Sequence, residues 1–254
     1  MILFVPLDVP TIPNKEKILK NFYGNTKVLS YNYDNEDMEI ETDYQKINSA
    51  TNILYKWKTQ YLLESGKWNT FARDIYPELI QWIDDYFPFT QKLDVRLDRA
   101  QQRILPHTDA YDWDNHVYEG VMTDTKGNKI KIPYANKVNS PQTIYQHQLD
   151  NEPIGYRFII SGSRNSLYMC NENDVSQKVF CSTPNETDAY VINHCTQMHG
   201  MDPKQDYDDD RIVGFIDGIV DPIKHKQLIE KSFEVYRNYS LLEQDVPWYN
   251  KEII

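Results

Sequence analysis

The sequence predicts an α+β protein with a sandwich or barrel core, on three observations. Apolar residues recur at helical spacing between about residues 14 and 88. From about residue 92 they fall instead in short runs, the first of them strictly alternating as in a half-buried strand. Gly, Asn, Asp or Pro bounds these runs. Helices first and many short strands afterwards is the order of an α+β chain, not of a repeating βαβ one. A chain of 254 residues suits one domain with a substantial core. Within it we distinguish an N-terminal supporting region, 1–91, a core, 92–221, with an insertion at 118–152, and a closing helix with its tail, 222–254.

Each element has its own signal. MILFVPLDVP is apolar, lacks a basic flank and is broken by Pro6 and Pro10, which predicts a first strand and not a secretion signal. KEKILKNFYG follows Pro13 and Asn14 and ends at Gly24, a helix with a glycine cap. After Ser49 or Thr51, NILYKWKTQYLLESG spaces Ile53, Leu54, Trp57, Tyr61 and Leu62 as a second helix would. FARDIYPELIQWIDDYF, with Ile75, Leu79, Trp82, Ile83 and Phe87 on one face, predicts a third, ended by Pro88. KLDVRLDRA then alternates Leu93, Val95 and Leu97 with charged residues, and YRFIISGS, SLYMCN, AYVIN and RIVGFIDGIV continue the strands. The 118–152 stretch is polar with little periodicity and is expected to be a long loop, of the kind that closes over a site. DPIKHKQLIEKSFEVYRNY predicts the closing helix.

Composition excludes several function classes. Acidic residues outnumber basic ones by 38 to 27, a formal charge of −11, which opposes binding to nucleic acid or to anionic membrane. Asp206, Asp208, Asp209 and Asp210 form a run of the kind found in solvated loops. Cys170, Cys181 and Cys195 are odd in number and lack metal-finger spacing, arguing against a disulfide framework and for a reducing compartment. No stretch approaches the length of a membrane span, and a cytoplasmic location is expected.

The chemistry-bearing pattern begins in RILPHTDAYDWDNH. On a strand, His107 and Asp109 project to one face and make two arms of a chelate; a structural His–Asp hydrogen bond is the plainer alternative. AYVINHCTQMHGMD offers a third ligand in His194 or His199, and Arg211 then opens the apolar run RIVGFIDG. Two histidines and one carboxylate leave half an octahedron open, the facial arrangement of iron(II) oxygenases, unlike the closed tetrahedron of structural zinc. A following Arg suits the far carboxylate of a buried 2-oxo diacid, which it pairs bidentately. It equally suits the neighbouring aspartates. Tyr111 and Trp113, just after the H-x-D, are candidates for a substrate pocket.

Taken together, LDVRLDRAQQRILPHTD, YRFIISGS, AYVINHCTQMHG and DRIVGFIDG resemble the 2-oxoglutarate/Fe(II)-dependent dioxygenase superfamily. The likeness is greatest to its aspartyl/asparaginyl β-hydroxylase-like and prolyl-hydroxylase-like members and covers roughly residues 92–221. The resemblance implies a double-stranded β-helix (jelly-roll, cupin-like) core with N-terminal helices and a C-terminal helix packed on it. It implies His107, Asp109 and His199 as iron ligands and Arg211 as the partner of the 2-oxoglutarate carboxylate. Arg157 resembles a second arginine used near the same anion. The implied reaction is hydroxylation of a peptide or protein side chain, a free amino acid or another small molecule, with release of succinate and CO2. A non-catalytic metal-binding module of cupin type and a zinc-dependent hydrolase are the alternatives.

Overall fold

The computed structural model describes residues 2–24, 31–32, 58–100, 104–108, 111–112, 117–123, 129–134, 153–193, 197–202 and 211–249. The chain opens with β1 (Ile2–Pro6), α1 (Lys15–Gly24), β2 (Tyr31–Asn32), β3 (Lys58–Glu64) and β4 (Lys67–Trp68). Next come α2 (Ala72–Ile75), α3 (Pro77–Tyr86), β5 (Phe89–Ala100), β6 (Ile104–Thr108), β7 (Tyr111–Asp112), β8 (Val117–Thr123) and β9 (Lys129–Tyr134). Strands β10 (Pro153–Ser161), β11 (Leu167–Cys170), β12 (Lys178–Phe180), β13 (Ala189–Ile192), β14 (His199–Met201) and β15 (Arg211–Val220) lead to α4 (Pro222–Val235) and β16 (Leu241–Leu242).

Two antiparallel sheets result. The larger has the order β16-β1-β13-β10-β15-β5-β3-β2, with β4 on β3, and the smaller runs β12-β11-β14-β6-β8-β7, with β9 on β8. Strand alternation gives the larger sheet two faces. Its outer face, with Val95, Leu97, Tyr156, Phe158, Ile212 and Ile216, packs under the helices. Its inner face presents Phe4, Ile159, Tyr190 and Ile192 to Ile104, Leu167, Met169 and Met201 of the smaller sheet. The protein is therefore a two-sheet sandwich with helices covering one side.

The helices follow local rules. Pro77 begins α3, where its missing N–H costs nothing. The Leu79, Ile80, Trp82 and Ile83 face is buried, and the Trp82 indole N–H donates to the Pro10 carbonyl at 2.9 Å. Asp221 caps α4, its carboxylate accepting from the N–H groups of Ile223 and Lys224, and Pro222 takes the first helical position. No helix among the described residues is long and apolar enough to cross a membrane.

Three expectations need correction. Residues 58–64 of the expected second helix form β3, because hydrogen bonding to β5 outweighs a helical apolar pattern that fits equally well over so short a span; 52–57 lie outside the described residues. The expected third helix is two, divided at Tyr76–Pro77, since proline disfavours helical backbone in the residue before it. Part of the expected 118–152 loop is a β8–β9 hairpin, in register from Tyr118–Tyr134 to Thr123–Lys129. Its residues 124–128 and 135–152 lie outside the described set. Cys170 and Cys181 are buried, with no disulfide between them, and Cys195 is outside the described set.

His225, one of the histidines without an evident sequence partner, is a core residue of α4. Its Nδ1 lies 2.5 Å from the Tyr156 hydroxyl, its Nε2 has no hydrogen-bond partner, and burial pushes its pKa down to about 4. A histidine depressed in the folded state favours the neutral fold, so its contribution is complete above about pH 6.5 and is lost as pH falls toward 4. We expect urea midpoints to show a loss of about 3 kcal/mol across that window, at roughly 1.4 kcal/mol per pH unit. The non-titrating variant His225→Gln should remove most of that slope. An unchanged slope would assign the acid sensitivity elsewhere.

Candidate functional site

The smaller sheet brings two of the three candidate ligands together. β6 and β14 run antiparallel with His107 opposite His199, and their rings lie 4.3 Å apart between centroids, inclined at 50°. The pairing changes register between this rung and the next, Ile104 opposite Met201, so β6 holds one residue more than β14 between them. Such a bulge re-aims a side chain. Without it Ile104 and His107, three residues apart, would face opposite sides of the sheet. With it, His107 joins His199 while Ile104 packs in the inter-sheet core beside Met201.

His199 is 5% exposed, and its ring is oriented by the backbone. Nδ1 lies 3.0 Å from the Gln197 carbonyl oxygen, which only accepts, so Nδ1 carries the proton and the lone pair lies on Nε2. Metal-binding histidines are commonly held by such a bond on the other ring nitrogen. Gln197 is itself fixed: its amide donates to the carbonyls of Cys170 and Met198 at 2.8 and 2.9 Å. Asp109, His194 and Trp113 lie outside the described residues, as does the aspartate run 206–210. Tyr111 belongs to β7, which pairs with β8, itself the neighbour of β6. Among the described residues no group of three His, Cys, Asp or Glu is placed to hold a metal.

Arg211 opens β15 on the larger sheet and is only 9% exposed. Its guanidinium donates from Nη1 to the Met201 thioether and bonds the Tyr190 hydroxyl, while Nε has no hydrogen-bond partner. Burial lowers its pKa, with Tyr190 opposing that effect. No carboxylate pairs with it among the described residues, and a thioether is a weak acceptor. Among the described residues, a buried guanidinium so placed lacks the anion that normally accompanies one. Gly162, at φ +89°, crosses directly over it; a Cβ there would stand 2.8 Å from the Arg211 Cα and Cβ. The turn after β10 thus requires glycine both for its backbone and for the closeness of this approach.

Met201 ties the two features together. It contacts Arg211 and sits two residues from His199 on the same face of β14, roughly 7 Å along the strand. Arg157 lies elsewhere on the inner face, opposite Phe215, where its Nη1 donates to Asp217 at 3.2 Å. A pairing network built from β5, β10 and β15 therefore holds Arg157, and no local sequence signal marks that network. A cavity of about 660 Å³ lies elsewhere, along Ile12, Lys15, Lys17 and Arg164. Its cations are committed, Lys15 and Arg164 to Asp188 and Lys17 to Glu78, so it has little unmet charge for a ligand.

The fold and site thus define a two-sheet antiparallel protein with an oriented histidine pair on one sheet and, on the other, a buried arginine that no carboxylate among the described residues pairs. No protein-family model matches the sequence, and no curated protein matches it. Among solved structures, HygX from Streptomyces hygroscopicus with nickel, 2-oxoglutarate and hygromycin B bound is similar at 13% identity, over 86% of this chain and 82% of that one, with a TM-score of 0.37. The same protein with nickel and 2-oxoglutarate bound gives 12%, 86%, 82% and 0.39, and with iron bound 14%, 71%, 79% and 0.33. At such values the likeness carries no argument about function, which rests on the chemistry of the site.

Proposed function

We propose that this chain is an Fe(II)- and 2-oxoglutarate-dependent oxygenase, with His107, Asp109 and His199 as metal ligands and Arg211 as the anchor of the co-substrate. The observation that carries this reading is the buried Arg211 guanidinium, without a carboxylate partner among the described residues and one strand step from an oriented histidine pair. The donor set fits the group: two imidazoles from adjacent strands, a carboxylate in the H-x-D sequence, and a cation for a distal carboxylate. When bound, iron(II) with 2-oxoglutarate and dioxygen supplies the oxidising chemistry, with succinate and CO2 as co-products. The chain's own residues bind and orient. The Gln197 carbonyl keeps the Nε2 lone pair of His199 available for coordination. Arg211 would pair with the far carboxylate, and Met201 and Tyr190 lie against the same buried guanidinium.

Strand order supports a double-stranded β-helix as the core. Numbering β5, β6 and β10–β15 as eight strands, the larger sheet orders the sixth, third, eighth and first, and the smaller the fifth, fourth, seventh and second. That is a jelly-roll succession. On this reading 92–221 is the core, while 1–91 and 222–254 buttress it within one domain. Location in the cytoplasm and hydroxylation as the outcome belong to the same proposal. Its test is succinate release from 2-oxoglutarate with Fe(II). We expect turnover in the intact chain and a loss of at least about 100-fold in His107→Ala and His199→Ala, as when metal affinity or activity is removed by a ligand change. Activity with Zn(II) but indifference to 2-oxoglutarate would overturn the reading.

A further inference from the structure

Beyond Arg211 the inner face of the larger sheet carries a charged network that the co-substrate reading leaves unexplained. Asp94, Arg96 and Asp98 come from β5, Arg157 from β10, and Phe215 and Asp217 from β15. The guanidinium groups of Arg96 and Arg157 both lie over the Phe215 ring, 4.4 and 4.3 Å from its centroid. Asp217 pairs with Arg157 at 3.2 Å and with Arg96 at 3.9 Å, and the Asp98 Oδ2 accepts from the Arg96 Nε at 3.0 Å. Both cations are thereby matched. Three carboxylates stand against two guanidiniums, and the surplus is visible at one atom: Asp98 is 4% exposed and its Oδ1 has no hydrogen-bond partner among the described residues. Burial, with Asp217 adding to it, also raises the pKa of half-buried Asp94, although the Ser65 N–H at 3.0 Å opposes this. A buried carboxylate oxygen without a donor is an unmet demand for one.

Register places that oxygen near the proposed reaction centre. Asp98 faces Val213, two residues further along β15 than Arg211 and on the same inner face. On the smaller sheet His199 lies two residues from Met201, which Arg211 touches. The chain turns back between β5 and β6 and between β14 and β15 at one end of the sandwich, so both displacements run in the same direction. Asp98 and the histidine pair therefore occupy the same step on facing sheets.

We propose that this network is the substrate subsite, and that Asp98 receives a protonated amine of the substrate. The word substrate rests on the oxygenase reading; the amine site does not. An anionic group there would have to break ion pairs already made, whereas an ammonium group supplies the missing donor and matches the one carboxylate that the network leaves over.

The test is a carboxyl-13C NMR titration of the full chain, without metal or 2-oxoglutarate, using methylammonium chloride against sodium chloride and sodium acetate at equal ionic strength. The Asp98 resonance should move along a saturating curve with methylammonium alone. Asp98→Asn should weaken that binding roughly tenfold or more, read at Asp94 and Asp217. Asp94→Asn, at a half-buried position tolerant of change, should weaken it by a smaller factor. An equal response to sodium chloride, or a saturating response to acetate that persists in Arg211→Met, overturns the proposal whether or not either aspartate variant folds. In a second arm, succinate release is measured with butylamine, butanol and butyrate. Stimulation by butylamine supports the subsite, and stimulation by butyrate overturns it while leaving the oxygenase reading standing. Absence of turnover with every compound sinks the oxygenase reading, and the titration then decides the amine site alone. Free lysine against lysine within a capped peptide distinguishes a small-molecule amine from a protein side chain.

Discussion

Arg211→Met is expected to raise the stability of the metal-free protein while abolishing its response to 2-oxoglutarate. In the unliganded fold Arg211 is a buried cation whose partners among the described residues are a phenol and a thioether, with Nε left unsatisfied. An apolar side chain of similar length removes that desolvation cost and packs beside Met201, so a gain of about 1–3 kcal/mol is expected. For a chain of this size that corresponds to a melting temperature higher by roughly 3–10 °C. The same change deletes the group proposed to pair with the co-substrate carboxylate, so the rise in melting temperature on ligand binding should vanish. Thermal melts of both proteins with and without Mn(II) and 2-oxoglutarate read the two effects separately. A destabilised variant that still gains from 2-oxoglutarate would show that Arg211 is a structural residue and not the anchor.

Gly214→Ala should be the most destabilising single methyl group in the core. Gly214 lies in the middle of β15, directly beneath the Phe158 ring, and an added Cβ would fall inside the ring carbons Cε1, Cε2 and Cζ. That ring cannot give way, since Phe158 is fully buried and packs edge-on against Trp82 of α3 at 5.5 Å. β15 cannot shift either without disturbing its pairing to β5 and β10. A loss of at least about 3 kcal/mol is expected from urea midpoints, at the upper end for overpacking. Phe158→Leu in the same chain should recover part of it, because the branched side chain vacates the space over residue 214. A cost under about 1 kcal/mol would mean that the helical layer is looser than its burial implies.

Several elements were legible because their signals are local. Pro222 after Asp221 starts α4, Gly24 ends α1, and the period-two alternation of Leu93, Val95 and Leu97 marks β5. His199 and Arg211, both singled out in the sequence for their chemistry, are buried on facing sheets. Segment 58–64 was misread because seven residues with two adjacent leucines satisfy both periodicities; Leu62 and Leu63 are both buried in a strand whose pairing to β5 shifts register beside them. The β8–β9 hairpin was missed because its polar residues carry no apolar alternation strong enough to announce it.

The sequence by itself determined the alternation that sets the faces of β5 and β15, the helix boundaries at Pro77 and Asp221, and the choice of chemically capable side chains. These depend on backbone sterics and on periods of a few residues. Tertiary structure alone decided which of those side chains meet. The bulge that turns His107 toward His199 arises from pairing with β14, more than ninety positions away in the chain. The unmatched state of Arg211 and the Asp98–Arg96–Asp217–Arg157 network depend on register among β5, β10 and β15. Register is a property of strand pairs, and a one-residue slip would send each of these groups to the other face of the sheet.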